Sequence, residues 1–167
     1  MIKRIRQLFN SKGMTLIELI VSVMVLSVIM IAVTTVFAPI LRTFERANNL
    51  AEANTLLDNL SALIMDDVAG ATGITGGSGT FSIKTTHEIR YYTNTAGILY
   101  RSAPGFDGPV LHKDFYKYRG TAGDETVFSV SAACTYLEGL VTITLTLTAT
   151  DGWSLTRDYT ARPVGLA

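Results

Sequence analysis

Residues 12–41 read KGMTLIELIVSVMVLSVIMIAVTTVFAPIL, and the fold is decided there. From Leu19 to Leu41 the chain runs for 23 residues without a charge. As a helix this rises roughly 35 Å at about 1.5 Å per residue, enough to cross a hydrocarbon core about 30 Å thick. Lys3, Arg4, Arg6 and Lys12 precede the run, with no acid among residues 1–13, whereas Arg42, Glu45 and Arg46 follow it with mixed sign. That asymmetry predicts a single-pass helix with the N-terminus in the cytoplasm and the bulk of the chain outside.

A cleavable secretory signal fits poorly. Its apolar region is about 7–15 residues long and ends at a small-residue site. This run is longer, and the best such site, after Ala38, is followed at once by Pro39. A plain signal anchor fits the hydrophobicity, but leaves Glu18 without a purpose. A carboxylate in a membrane segment costs on the order of a few kcal/mol at the bilayer centre and less toward the edge. Either it snorkels to the headgroups, or it serves something that a simple tether does not need.

The stretch Lys12-Gly13-Met14-Thr15-Leu16-Ile17-Glu18-Leu19-Ile20 resembles the processing site of type IV prepilins and type II secretion pseudopilins. The resemblance implies that residues 1–13 are a basic leader, cut between Gly13 and Met14 by a prepilin peptidase. Met14 then becomes an N-methylated first residue, and Glu18 stands fifth in the mature chain. It also implies that Glu18 of an incoming subunit pairs with the terminal amine of a neighbour in a filament. The implied partners are other pilins or pseudopilins, the prepilin peptidase, an inner-membrane assembly platform and membrane lipid. Two positions depart from the family pattern. Met14 stands where Phe is commonest, and Thr35 stands where a helix-bending proline is common, with Pro39 four residues later.

Beyond Leu41 the helical period continues in amphipathic form. Phe44, Ala47, Leu50, Ala51, Leu57, Leu60, Ile64 and Val68 fall near helical spacing, with Arg46, Asn48, Glu52, Asp58 and Asp66 between them. Gly70, Gly73, Gly76 and Gly77 end the pattern, with Gly70 placed as a C-terminal cap. Residues 70–79 read as a Gly-rich connector. After it come alternating runs with strand character at 80–84, 87–93, 97–102, 110–118, 126–132, 140–150 and 154–162, and Asp151-Gly152 reads as a tight turn. The expected fold class is α+β and pilin-like: a long N-terminal helix, transmembrane over 14–41 and amphipathic over 42–69, packed on an antiparallel β-rich head over 80–167. The order Ile89-Arg-Tyr-Tyr-Thr-Asn-Thr-Ala-Gly-Ile-Leu-Tyr-Arg101 also looks like the hairpin of J-type pseudopilins and W-type minor pilins, which implies a minor subunit.

Composition narrows the function further. Without the four leader cations, ten basic residues stand against fourteen acidic ones, a net −4 that suits nucleic-acid phosphates poorly. Direct nucleic-acid binding is therefore not expected. Cys134 is the only cysteine, flanked by Ala132 and Ala133, and reads as a small buried apolar residue. His87 and His112 lack metal-ligand spacing, and Asp107-Gly108 and Asp124-Glu125 lack a calcium-loop ladder and read as turns. Gly76-Gly77-Ser78-Gly79 has no phosphate-loop lysine, and no Gly-x-Ser-x-Gly turn occurs. The expectation is a non-enzymatic chain without cofactor or metal. It is either a subunit of a surface filament (pilus, secretion or competence) or a monomeric membrane-anchored domain that binds a ligand or partner.

Overall fold

The computed structural model describes residues 15–119 and 125–166. It divides into two compact units, Met1–Thr43 and Phe44–Ala167. One helix, α1, runs from Leu16 to Ala69 with Pro39 inside it. Proline lacks the N–H that would bond the Thr35 carbonyl, yet α1 is continuous through Pro39. In the first unit every described side chain is exposed, and the apolar stretch is long enough to cross a membrane.

In the second unit α1 buries Asn49, Ala53, Leu56, Leu57, Leu60, Ile64 and Val68, a stripe advancing by three or four residues. The stripe differs from the expected one. Leu57, Leu60, Ile64 and Val68 are in it, but Phe44 is 72% exposed and Leu50 46%, and Ala47 and Ala51 are also exposed. At 100° per residue Phe44, Ala47 and Ala51 turn away from the Leu57–Ile64 side.

The head has two antiparallel sheets. The first follows the order β1 (Ala71–Thr75), β3 (Thr80–Thr85), β4 (Ile89–Thr95), β5 (Ile98–Ala103), β6 (Phe106–Pro109). The second follows β10 (Ser154–Ala161), β9 (Leu140–Ala149), β8 (Glu125–Leu137), β2 (Gly77–Ser78), with β7 (Lys117–Arg119) also on β8. Phe81, Ile83, Tyr92 and Leu99 of the first sheet, and Val130, Cys134, Ile143, Leu145 and Leu147 of the second, join the α1 stripe in one core. Each fully buried Leu or Ile contributes about 1.5–3 kcal/mol of transfer free energy.

Strict alternation explains β9. Val141, Ile143, Leu145 and Leu147 are buried, while Thr142, Thr144, Thr146 and Thr148 face outward. The Asp151-Gly152 turn forms as read: the Gly152 N–H donates to the Ala149 carbonyl at 2.9 Å, and Gly152 adopts φ 94°.

Four expectations are corrected. The Gly-rich stretch 70–79 is not a mere connector, because β1 and β2 edge the two sheets there; Gly76 and Gly77 let backbone approach so closely that a Cβ would meet the Cys134 and Thr80 carbonyls at 2.6 and 2.4 Å. Gly70 does not take a left-handed cap conformation. Residues 110–118 are strand only at their end, where Lys117 and Tyr118 open β7. His112 starts a 3-10 turn at Lys113–Tyr116, with its Nδ1 accepting from the Asp114 N–H at 3.4 Å, and the turn buries Tyr116 while leaving Phe115 exposed. Asp107-Gly108, read as a turn, lies within β6.

Two contacts tie the sheets together. The Val130 N–H donates to the Gly97 carbonyl at 2.7 Å. The Asn94 carboxamide accepts from the Ala132 N–H at 3.3 Å and donates to the Ala132 carbonyl at 3.4 Å. The Asn94 side chain thus fills part of the gap along β8 between β2 and β7, beside the Gly79 N–H, which also donates to the Ala132 carbonyl at 3.1 Å.

Candidate functional site

Of the three expected site residues, Glu18 lies within the described region; Gly13 and Met14 lie outside it. Glu18 occupies the first turn of α1, where a negative charge complements the helix dipole. Its Oε2 accepts from the backbone N–H and from the hydroxyl of Thr15, both at 2.9 Å. In return the Glu18 N–H donates to Thr15 Oγ1 at 3.3 Å. This is a reciprocal capping box, two otherwise orphaned N–H groups satisfied by the paired side chains. Its sequence signal is local: Thr15-x-x-Glu18 directly ahead of an apolar run.

The box changes the cost of Glu18 without removing it. An N-cap contributes about 0.5–2 kcal/mol, against a few kcal/mol for a carboxylate in a membrane helix. Among the described residues Oε1 receives no hydrogen bond, so the carboxylate keeps an acceptor for a further cation.

No other polar group in the span competes for that role. The hydroxyls of Ser22 and Ser27 donate to the carbonyls four residues earlier at 2.7 Å, and those of Thr34 and Thr35 do so at 3.0 Å. Internal satisfaction of this kind is what an apolar solvent demands. The Glu18 carboxylate is the one charge in the described part of the run, from Thr15 to Leu41.

In the head the hairpin β4–β5 has a structural duty. Asp67, 3% exposed near the end of α1, accepts from Arg90 Nη1 and from the Tyr92 hydroxyl, and Arg101 Nη1 lies 3.6 Å from it. Arg90 also bonds Glu88, and Arg101 lies over the Phe106 ring at 4.9 Å. An acid near a helix C-terminus opposes the dipole, and two guanidinium groups offset it. The hydrogen bond to Glu88, and after it the Asp67 charge, raises the Arg90 pKa, whereas burial and the bond to Asp67 push the Tyr92 hydroxyl well above the ordinary phenol range. Arg90, Tyr92 and Arg101 of this hairpin thus clasp the helix end.

Little else in the head suggests chemistry. No group of three potential metal ligands forms among the described residues. His87 and His112 are exposed, with His112 Nδ1 3.1 Å from the Asp114 carboxylate. Cys134 is buried, and burial raises its thiol to about 11, away from the reactive thiolate. An open groove of about 310 Å³ between α1 and the 3-10 turn, lined by Ala51, Glu52, Thr55, Leu56, Asp114, Phe115 and Lys117, gathers no nucleophile with a base.

Residues 8–34 match the family model described as the prokaryotic N-terminal methylation motif, a type IV pilin-like leader. No curated protein and no solved structure matches the chain. The motif and the α+β architecture are consistent with the pilin and pseudopilin family.

Proposed function

We propose that this chain is a minor pilin or pseudopilin: a structural subunit of a type IV pilus-like filament, made as a precursor and held in the membrane by the first part of α1 until assembly. The observation that carries the reading is Glu18, an acid whose Oε1 remains open on an otherwise self-satisfied apolar helix, inside a matched methylation motif. Cutting after Gly13 removes Lys3, Arg4, Arg6 and Lys12 and exposes an amine at Met14, which methylation then modifies. That amine is the natural complement for Glu18 of a neighbouring subunit. Pairing the two charges as helices leave lipid for a protein bundle offsets the burial cost of both. Residues 14–41 then serve first as membrane anchor, N-terminus inside and head outside, and later as filament core. Prepilin peptidase, an assembly platform and other pilins are the partners this requires.

A second reading has one observation in its favour. The capping box gives Glu18 a use within its own chain, as a monomeric tethered domain would need. Intact-mass analysis of the native protein separates the two. Loss of 13 residues with gain of one methyl supports the filament subunit; an uncut start at Met1 refutes it. Within the filament reading, Glu18→Ala inserts into membrane normally but fails to enter filaments, and normal entry of that variant refutes the pairing.

A further inference from the structure

The two sheets turn different faces outward. On the second sheet the outward residues of β9 are Thr142, Thr144, Thr146 and Thr148. The hydroxyls of Thr146 and Thr156 lie 3.1 Å apart across the strands, and Thr144 donates to Asp158 at 2.7 Å. Such a face is suited to water and satisfies much of its own bonding. The first sheet is finished otherwise. In β4 the alternation that turns Arg90, Tyr92 and Asn94 inward leaves Ile89, Tyr91 and Thr93 pointing out, and in β5 it leaves Ile98, Tyr100 and Ser102 pointing out. Strand propensity does not require aromatic rings there, since the threonines of β9 serve an outward face equally well.

Register gathers these rings. Tyr91 stands opposite Ser102, and Thr93 opposite Tyr100, so the two tyrosines are diagonal neighbours on one face, with Cα atoms about 7–8 Å apart. Pro109 of β6 flanks Tyr100, and Ser82 of β3 flanks Tyr91. An apolar band therefore crosses the sheet through Ile89, Tyr91, Tyr100 and Pro109, with Ile89 38% and Tyr91 51% exposed. Among the described residues neither Tyr91 nor Tyr100 makes a hydrogen bond, whereas the inward Tyr92 hydroxyl is held by Asp67. The same clasp fixes the strands from behind, through Arg90, Tyr92 and Arg101. The outward rings thus stand on a backbone that needs little ordering when something binds.

Charge selects the occupant. The band carries no formal charge, and its nearest charged neighbours on the face are Lys84 on β3 and Asp107 on β6, one on each side of it. One lysine is too little for a phosphate polymer, which is held by clusters of Lys and Arg. A strongly charged peptide finds no matching row of counter-charges. What the face offers is ring surface bordered by the hydroxyls of Ser82, Thr93 and Ser102, which both donate and accept. A hexopyranose with equatorial substituents is its chemical complement: C–H groups cover both faces of the sugar ring, and hydroxyls project from its edges. We propose that the outer face of the first sheet, centred on Tyr91 and Tyr100, binds a neutral, β-linked hexopyranose chain, whose sugar faces stack on the two rings while their edge hydroxyls reach the flanking Ser and Thr. Tyrosine suits such a platform, being large, rigid and polar only at its tip.

Calorimetric titration of the full-length chain tests this, in a detergent without a sugar headgroup such as lauryldimethylamine oxide. The probes are cellohexaose and chitohexaose, and at least one is expected to bind saturably. Tyr91→Ala and Tyr100→Ala are each expected to weaken that binding at least tenfold. Tyr91→Phe keeps the ring face and is expected to lose less than threefold. Thr156→Ala, on the other sheet, is expected to leave binding unchanged. Because Tyr91 points outward, its alanine variant is expected to keep the urea-unfolding midpoint read by Trp153 fluorescence, which separates lost binding from lost fold. The measurement is made on the unassembled chain, so it stands apart from the filament reading. Binding of neither sugar overturns the proposal, as does a loss below threefold in both alanine variants. So does self-association in sedimentation that Tyr91→Ala abolishes and both sugars leave unaffected, which makes the face a protein contact.

Discussion

Replacing Asp67 by alanine tests whether the clasp at the end of α1 holds the head together. The side chain of Asp67 is 2% exposed, and those of Arg90 and Arg101 are 28% and 26% exposed. Alanine leaves the Tyr92 hydroxyl, on a residue with no solvent exposure, without its acceptor. A buried unsatisfied group of this kind costs about 1–3 kcal/mol. It also strips two guanidinium groups of their shared counter-charge, and breaking a buried pair costs about 3–5 kcal/mol in all. The partial exposure of both arginines allows some rehydration, so the lower part of that range, about 3 kcal/mol, is expected. Tyr92→Phe removes one hydrogen bond to a carboxylate that keeps its arginines, and should cost about 1.5 kcal/mol. The two losses are not additive. In an Asp67→Ala background the phenylalanine removes the orphaned hydroxyl, so its own cost vanishes or reverses. The assay is urea unfolding of the full-length chain in detergent micelles, followed by Trp153 fluorescence. A cost below about 1 kcal/mol for Asp67→Ala, or strict additivity in the cycle, refutes the argument that the carboxylate organises β4 and β5 against α1.

Other parts of the head yield further measurements. Burial raises Cys134 from 9.0 to about 11 and Tyr116 from 10.0 to about 12, with Tyr92 shifted the same way. The fold therefore prefers the protonated forms, and stability is complete below the ordinary thiol and phenol ranges. It falls as pH rises, by about 1.4 kcal/mol per pH unit for each group between its two values; an unfolding midpoint that stays flat from pH 8 to 11 contradicts this. Asn94→Ala leaves the Ala132 N–H without its acceptor between the sheets, while the Ala132 carbonyl keeps the Gly79 N–H, and should cost about 1–3 kcal/mol by the same urea assay. Gly97→Ala meets both a φ of 78° and Ser129 Oγ at 2.5 Å from the new Cβ, for a loss of about 2–4 kcal/mol. Leu60→Ala, at a fully buried position of α1, should cost about 2–5 kcal/mol in the same measurement.

Much of the fold was legible because its signals are local. A run of 23 uncharged residues after a basic start announces a membrane-length helix whatever surrounds it. The Thr142–Thr148 alternation announces a half-wet strand, and the Asp151-Gly152 turn depends on residues that are neighbours in the chain. The misreadings share a different cause. Nothing near Gly70–Gly79 in sequence shows that Cys134 will offer it a strand, nor does 110–118 show that Tyr116 will be drawn into the core by a 3-10 turn. Phe44 turns away from the buried stripe by its helical angle alone, whereas Leu50 falls on the buried side and is nonetheless 46% exposed, which the period of the helix does not show.

The candidate site divides in the same way. Residue order alone gives the membrane-length apolar helix and the acid at position 18, because hydropathy, charge and short-range spacing act over a few turns of chain. Folding across long sequence separations settled the rest. It brought Arg90, Tyr92 and Arg101 onto Asp67, inserted Asn94 beside Ala132, and set Tyr91 and Tyr100 on one outward face. Such contacts depend on strand register, and register is chosen by which faces bury together, a property of the assembled layers and of no single segment.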